Sequence, residues 1–255
     1  MHAPSPRLKI HWLEKKQIIF EFQVSGGLRY KDHVEVVTFG SLTLILGHLR
    51  SELGSGEKQF FRRLLGKTRV KLDFMDDMAN WYRCHAAFLL PVAYLAYAHP
   101  CNLRTCSYRD AKNYIIAGAE DYDFLKSIGA LIRPKNDDRG LRGLRGVLLA
   151  FSLWVLAKTK YGELAVSNHC RNAVSEMQFM ELKFQEIRGK DPSFLISTFD
   201  QLKKKAPDWE NCIAFTIHGK TIAKRGIHST KNSMTSPRLS GLRTIRFRQP
   251  WPTGA

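Results

Sequence analysis

Residues 86–98 read AAFLLPVAYLAYA, an uncharged and almost wholly apolar run that no fold can leave facing water. It falls short of the ~20 residues needed to cross a bilayer, so it predicts a buried helix around which the rest of the chain must be built. The preceding segment, MDDMANWYRCH, supplies the helix start, with Asp73, Asp76 and Asp77 read as an acidic cap near Met75. Pro91 is expected to kink or split this helix, because it removes a backbone donor and crowds the preceding turn. A second apolar run, residues 147–157, is read in the same way as a buried helix. With 255 residues and 44% hydrophobic content, the chain can form one large domain or two compact lobes around a substantial core.

Before this helix, RLKIHWLEKKQIIFEFQVSGGLRY has β-branched and aromatic positions with a break at Gly26 and Gly27, the pattern of a small sheet or hairpin. From Val34 the reading is strand, then helix from about Ser41 to Gly54. RVKLDF alternates as a short strand. After the apolar run, residues 107–134 read as short helices ended by Arg133-Pro134 and an Asn-Asp-Asp turn, the best boundary in the chain. Three helical signals follow: residues 141–160, residues 172–188, and SFLISTFDQLKKK, introduced by Asp191 and Pro192. The fold class is therefore mainly α with a small N-terminal β element. Its parts are a β element or arm at 1–40, an N-terminal helical lobe at 41–134, a C-terminal helical lobe at 135–210 and a basic C-terminal arm at 211–255.

The charge is lopsided: 40 Lys and Arg stand against 23 Asp and Glu, a formal +17. That exceeds what solubility requires and predicts attraction to a polyanion, nucleic acid first and an anionic membrane second. Arg62, Arg63, Lys67, Arg69 and Lys71 fall within ten positions, the spacing of a basic edge that tracks a phosphate backbone. A second cluster comprises Arg133, Lys135, Arg139, Arg142 and Arg145, the last four inside KNDDRGLRGLRG. Free backbone N–H groups at a helix start attract phosphate, whereas arginines there oppose the helix dipole and need another reason to be present. The bland alternative is that Asn136, Asp137 and Asp138 cap the helix while the arginines are solvated. Beyond Glu210 there is no acidic residue, and residues 212–255 hold eight Lys and Arg, including Arg243, Arg246 and Arg248. CIAFTIHGKTIAKRG is a possible strand, and TIRFR could form one on docking. Tyr82, Tyr94, Tyr97, Tyr108, Tyr114 and Tyr122 could stack on unpaired bases, although the helical spacing of Tyr94 and Tyr97 favours core packing.

Other chemistries fit less well. Gly66-Lys67-Thr68 lacks the earlier glycine of a phosphate-binding loop, since Phe61 stands in its place. His85, His99, Cys101 and Cys106 are potential zinc ligands without a paired Cys-x2-Cys. Asp73, Asp76 and Asp77 could hold a divalent metal, and His228-Ser229-Thr230 has the look of half a phosphodiesterase site, but neither has its needed partners in sequence. An odd count of five cysteines and the opening MHAPSPRLKIHWLEKK, without an apolar leader, suggest a reducing, cytosol-like compartment. A non-enzymatic protein without cofactor or metal is expected.

The order of features, strands in QIIFEFQ, a helix in SLTLILGHLRSEL, basic FFRRLLGKTRVKL, a helical middle and a basic C-terminal arm, resembles the nucleoproteins of bunyaviruses, of the tospovirus and orthobunyavirus kind. The resemblance implies two helical lobes flanking a basic groove that holds single-stranded RNA, and homo-oligomers linked through terminal arms. It also implies a location in the virion and host cytoplasm, with a viral polymerase as a further partner. The two basic clusters would line opposite sides of that groove, with Arg243, Arg246 and Arg248 supplied by the arm. The alternatives are a matrix-type protein of a negative-strand virus, meeting anionic membrane and ribonucleoprotein, and a coat protein of a flexuous plant virus.

Overall fold

A computed structural model describes residues 18–29, 32–189, 191 and 193–212, together with the backbone of a strand at 242–248. The protein is mainly α-helical with a small N-terminal β element. That element holds β1 (Phe20–Val24), β2 (Gly26–Arg29), β3 (His33–Phe39), β4 (Leu42–Gly47), β5 (Val70–Phe74) and β6 (Leu242–Arg248). They form two three-stranded sheets, β1-β4-β5 and β2-β3-β6. β4 runs antiparallel to β1 and parallel to β5. A parallel neighbour requires a crossover, and α1 (Ser55–Leu65) provides it. The Glu57 carboxylate anchors the start of that helix, accepting the Gly54 N–H at 2.7 Å and lying 3.1 Å from His48 Nε2.

The helical body begins with α2 (Met78–Ala98), whose first turn is capped by Asp77 accepting the Asn80 N–H at 3.0 Å. It continues with α3 (Tyr108–Ser127), α4 (Gly143–Ala157), α5 (Lys160–Gly162), a π-helical turn at Glu163–Ser167, α6 (Asn168–Asn172), α7 (Val174–Arg188) and α8 (Ser197–Lys205). Helices before and after Pro134 share one core: Tyr94 of α2 meets Phe199 of α8 edge-on at 5.3 Å, and Phe124 of α3 meets Phe184 of α7 at 5.9 Å. A smaller cluster of Ile45, Met75, Met78 and Trp81, with Phe20 and Phe22 against it, ties the β1-β4-β5 sheet to the start of α2.

Several expectations are corrected. The segment expected as a helix from Ser41 forms strand β4, the central strand of its sheet. A strand flanked on both sides reads as a continuous apolar run, and LTLILG cannot be told from a helix by periodicity. Gly26 and Gly27 lie within β2 rather than at a break. A Cβ on Gly26 would stand 2.6 Å from the Ala165 Cα, so the glycine admits the π-helical turn against the strand. Pro91 does not split α2, which is one helix of 21 residues. Residues 108–127 form one helix rather than several, held at its start by a reciprocal box between Ser107 and Asp110 and buried along Ala111, Tyr114, Ile115, Gly118, Tyr122 and Leu125. The run at 147–157 is buried on one face only. Ala150, Leu156 and Ala157 are buried and Leu149, Leu153 and Trp154 pack against the core, while Leu144, Val147, Leu148 and Phe151 of α4 are exposed. Gly146 is required by the turn before the helix, since a Cβ there would stand 2.4 Å from the Leu141 carbonyl oxygen.

The core also contains an acid. Asp121 of α3 is fully buried, and neither carboxylate oxygen has a hydrogen-bond partner among the described residues. Burial raises its pKa well above the ordinary carboxylate value. The native state therefore holds a proton that the unfolded chain releases above about pH 4, and the associated stability is present below that pH and lost as pH rises. Asp121→Asn should raise Tm at neutral pH, with the gain vanishing near the unfolded carboxylate pKa; a gain independent of pH would contradict this. Phe184→Ala should cost about 3–5 kcal/mol in urea unfolding, because Phe184 is fully buried between Phe124 and Phe199.

Candidate nucleic-acid interface

The first basic cluster occupies the end of α1, the following turn and β5. The Thr68 hydroxyl fixes the turn, donating to the Leu65 carbonyl at 2.6 Å and accepting the Val70 N–H at 3.2 Å. Strand alternation then divides the cluster. Leu72 and Phe74 lie on the α1 side of the sheet, where the Arg62 guanidinium sits 5.2 Å from the Phe74 ring centroid. Lys71 and Asp73 alternate to the other side and are exposed. Arg63, Lys67, Arg69 and Lys71 are exposed and have no ion-pair partner among the described residues. Arg62 is half committed, its guanidinium stacked as a cation–π pair.

The second cluster meets the first through one ion pair. Arg133 donates from Nε to Asp76 Oδ1 at 2.8 Å and from a terminal nitrogen to Oδ2 at 2.9 Å, a bidentate fork. Asp76 lies just after β5, so the pair stitches the end of that strand to the 128–136 loop. The Arg133 N–H also contacts Cys84 Sγ at 3.3 Å, which holds the loop along the first turns of α2. From there the chain carries Lys135, the 3-10 turn Asp137–Leu141 with Arg139, and then Arg142 and Arg145 at the start of α4. The acids of this stretch do not cap α4. Asp137 accepts the Tyr122 hydroxyl at 2.6 Å, and Asp138 pairs with Lys126, so both clamp the turn onto α3. Arg142 is the N-cap residue; its guanidinium reaches Asp123 at 2.5 Å and the Ala119 carbonyl at 3.2 Å. Lys135, Arg139 and Arg145 are exposed and without an ion-pair partner among the described residues.

Lys67, Arg69 and Lys71 of the first cluster and Lys135, Arg139 and Arg145 of the second make up a basic band in chain order, exposed and without ion-pair partners among the described residues, with the Arg133–Asp76 pair joining the 128–136 loop to the end of β5. Arg133 and Arg142 serve as structural fasteners. Arg243, Arg246 and Arg248 belong to β6, whose register with β3 sets them opposite Thr38, Glu35 and His33. The β3 end opposite Leu242 is only three residues from Leu42, the partner of Val70 in β5. Chain length alone holds that end of β6 within about 20 Å of the Arg69 turn. Lys220, Lys224, Arg225, Lys231, Arg238, the CIAFTIHGKTIAKRG segment beyond Cys212 and His228-Ser229-Thr230 lie outside the described residues.

The other candidates take structural roles. Tyr94, Tyr97, Tyr114 and Tyr122 are buried, while Tyr82 donates to the Glu21 carbonyl at 3.0 Å. Only Tyr108 of the six has an exposed ring, and it belongs to the α3–α4 surface. Asp76 and Asp77 are engaged with Arg133 and the α2 cap, which separates their roles from Asp73. No group of three or more His, Cys, Asp or Glu suited to a metal occurs among the described residues. All five cysteines are buried, and burial pushes the Cys84, Cys101 and Cys212 thiols up to about 11, so they stay protonated near neutral pH. Sequence reasoning missed the Arg133–Asp76 link because it joins positions far apart in the chain, and nothing in either local sequence marks the pairing. No protein family, curated protein or solved structure matches this chain.

Removing the stitch is informative because a partly exposed pair is worth at most about 1 kcal/mol. Asp76→Asn should leave Tm nearly unchanged while freeing the Arg133 charge, and so tighten binding to a polyanion at low salt. Weaker binding would mean that Arg133 must be held in place for the band to function.

Proposed function

We propose that the protein is a non-enzymatic nucleocapsid-type protein that coats single-stranded RNA without sequence preference. The observation that carries this reading is the set of free bases: Lys67, Arg69, Lys71, Lys135, Arg139 and Arg145 are exposed and free of acidic partners among the described residues, and the Arg133–Asp76 pair ties the segment of the last three to the end of β5. Such point charges neutralise phosphates whatever the nucleobases, and guanidinium groups suit phosphate oxygens. The burial of most tyrosines removes the stacking platforms that would favour particular bases, so backbone electrostatics dominate. The basic residues of 212–255 add to the attraction by composition alone. Assembly into oligomers through terminal arms, association with a polymerase and a place in the virion and host cytoplasm extend the same proposal.

Electrostatic binding of this kind has a signature in salt. The logarithm of affinity for a homopolymeric RNA should fall linearly with log salt, by about 0.7 for each phosphate neutralised. Reversing Lys71 and Arg139 to Glu together should reduce that slope and weaken binding to poly(U) and mixed-sequence RNA alike. A flat salt response, or loss confined to one sequence, would overturn the reading.

A further inference from the structure

The least expected surface of the molecule is the outer ridge of α4 and α3. Leu144, Val147, Leu148 and Phe151 are 75%, 47%, 57% and 53% exposed, at the i, i+3, i+4, i+7 spacing that aligns side chains on one helix face. Tyr108 of α3, 36% exposed, stands beside them, its ring 6.4 Å from that of Phe151. α4 is thus apolar on two sides: Leu149, Ala150, Leu153, Leu156 and Ala157 pack toward the core, and the face of Leu144, Val147, Leu148 and Phe151 is left uncovered by the described residues.

Bases predominate around this ridge: Arg139 and Arg145 lie at its start, and Arg109 and Lys112 are exposed along α3. The acids near the α4 start are engaged, Asp137 by the Tyr122 hydroxyl at 2.6 Å, Asp138 by Lys126 and Asp123 by Arg142 at 2.5 Å. At its far end Tyr108, Phe151 and Trp154 form an aromatic group, with Lys158 Nζ 5.5 Å from the Trp154 ring centroid.

We propose that this ridge is a docking surface for an anionic lipid bilayer. An exposed apolar helix face, rimmed by Arg and Lys and ending in aromatic rings, matches the chemistry of a helix lying in the membrane interface. The aliphatic side chains enter the acyl boundary, the basic rim meets lipid phosphates and carboxylates, and the aromatic group sits at headgroup depth. Other occupants fit less well. RNA gains nothing from Leu144, Val147 or Leu148, which cannot stack on bases. A second copy would bring two basic rims together, a like-charge contact that opposes association. The surface is distinct from the Lys67–Lys71 end of the band, although Arg139 and Arg145 border both.

The test uses the full-length protein freed of nucleic acid, floated with vesicles of phosphatidylcholine alone or mixed equally with phosphatidylserine, at physiological salt. The protein should float with the mixed vesicles and not with phosphatidylcholine. Leu148→Glu with Phe151→Glu should reduce the bound fraction roughly tenfold or more, while RNA affinity and thermal unfolding stay as in the parent. Because both side chains are exposed, the variant should fold; Leu148→Trp gives an independent readout, its fluorescence quenched by brominated acyl chains only when the ridge enters the bilayer. Undiminished flotation of the Glu variant, or an unquenched Leu148→Trp, would overturn the proposal. So would a parent oligomer that the Glu variant dissolves without any vesicle effect, which would assign the ridge to contacts between copies.

Discussion

The structure depends on burying α2. A helix apolar on nearly every side is stable in water only when something covers each face, and α2 is enclosed accordingly. Its start is covered by the β1-β4-β5 sheet through Met78 and Trp81, and its length by α3, α7 and α8 through Leu90, Tyr94 and Tyr97. Trp81 shows how the two layers are joined: its ring, that of Phe22 of β1 at 4.5 Å and the stacked His85 ring at 5.0 Å form one cluster, Phe22 and His85 being themselves 4.5 Å apart. That environment pushes the His85 pKa down to about 4 by burial, so the imidazole is neutral where it packs.

Enclosing α2 also sorts the charges. Many of the acids are spent within the framework: Asp200 on Arg188, Glu181 on Lys203 and Trp209, Glu120 on Thr198, Asp138 on Lys126. Each of these ion pairs takes up one base with one acid, so the excess of bases in the chain is undiminished by them. Lys67, Arg69, Lys71, Lys135, Arg139 and Arg145 remain exposed and without ion-pair partners among the described residues.

The helical framework was largely legible in the sequence. The apolar run before Ala98, the Asp191-Pro192 signal before α8 and the alternation of RVKLDF correspond to α2, α8 and β5. What was not legible shares one cause: local pattern cannot report which neighbour a segment meets. LTLILG became a central strand because β1 and β5 lie on either side of it. The 147–157 run was read as buried, yet only one face is: Leu149, Ala150, Leu153, Leu156 and Ala157 pack inward while Val147, Leu148 and Phe151 are exposed; hydrophobic content alone does not say which side of a helix is covered. At the candidate interface the basic positions were readable one by one. Their division between free charges and fasteners, with Arg133 on Asp76 and Arg142 on Asp123, was decided by acids distant in sequence.

The pairing of β6 with β3 has a consequence for how the molecule comes into being. Of all the strand pairs, this one joins the most widely separated segments of the chain. During synthesis, β3 is made early and its open edge must wait until nearly all the rest has left the ribosome. An unpaired strand edge is a template for association, and contacts that close long loops form late. The basic strand that closes this edge is thus the last described element to take its place, so its charge is available to a polyanion in the nascent chain before the sheet is complete.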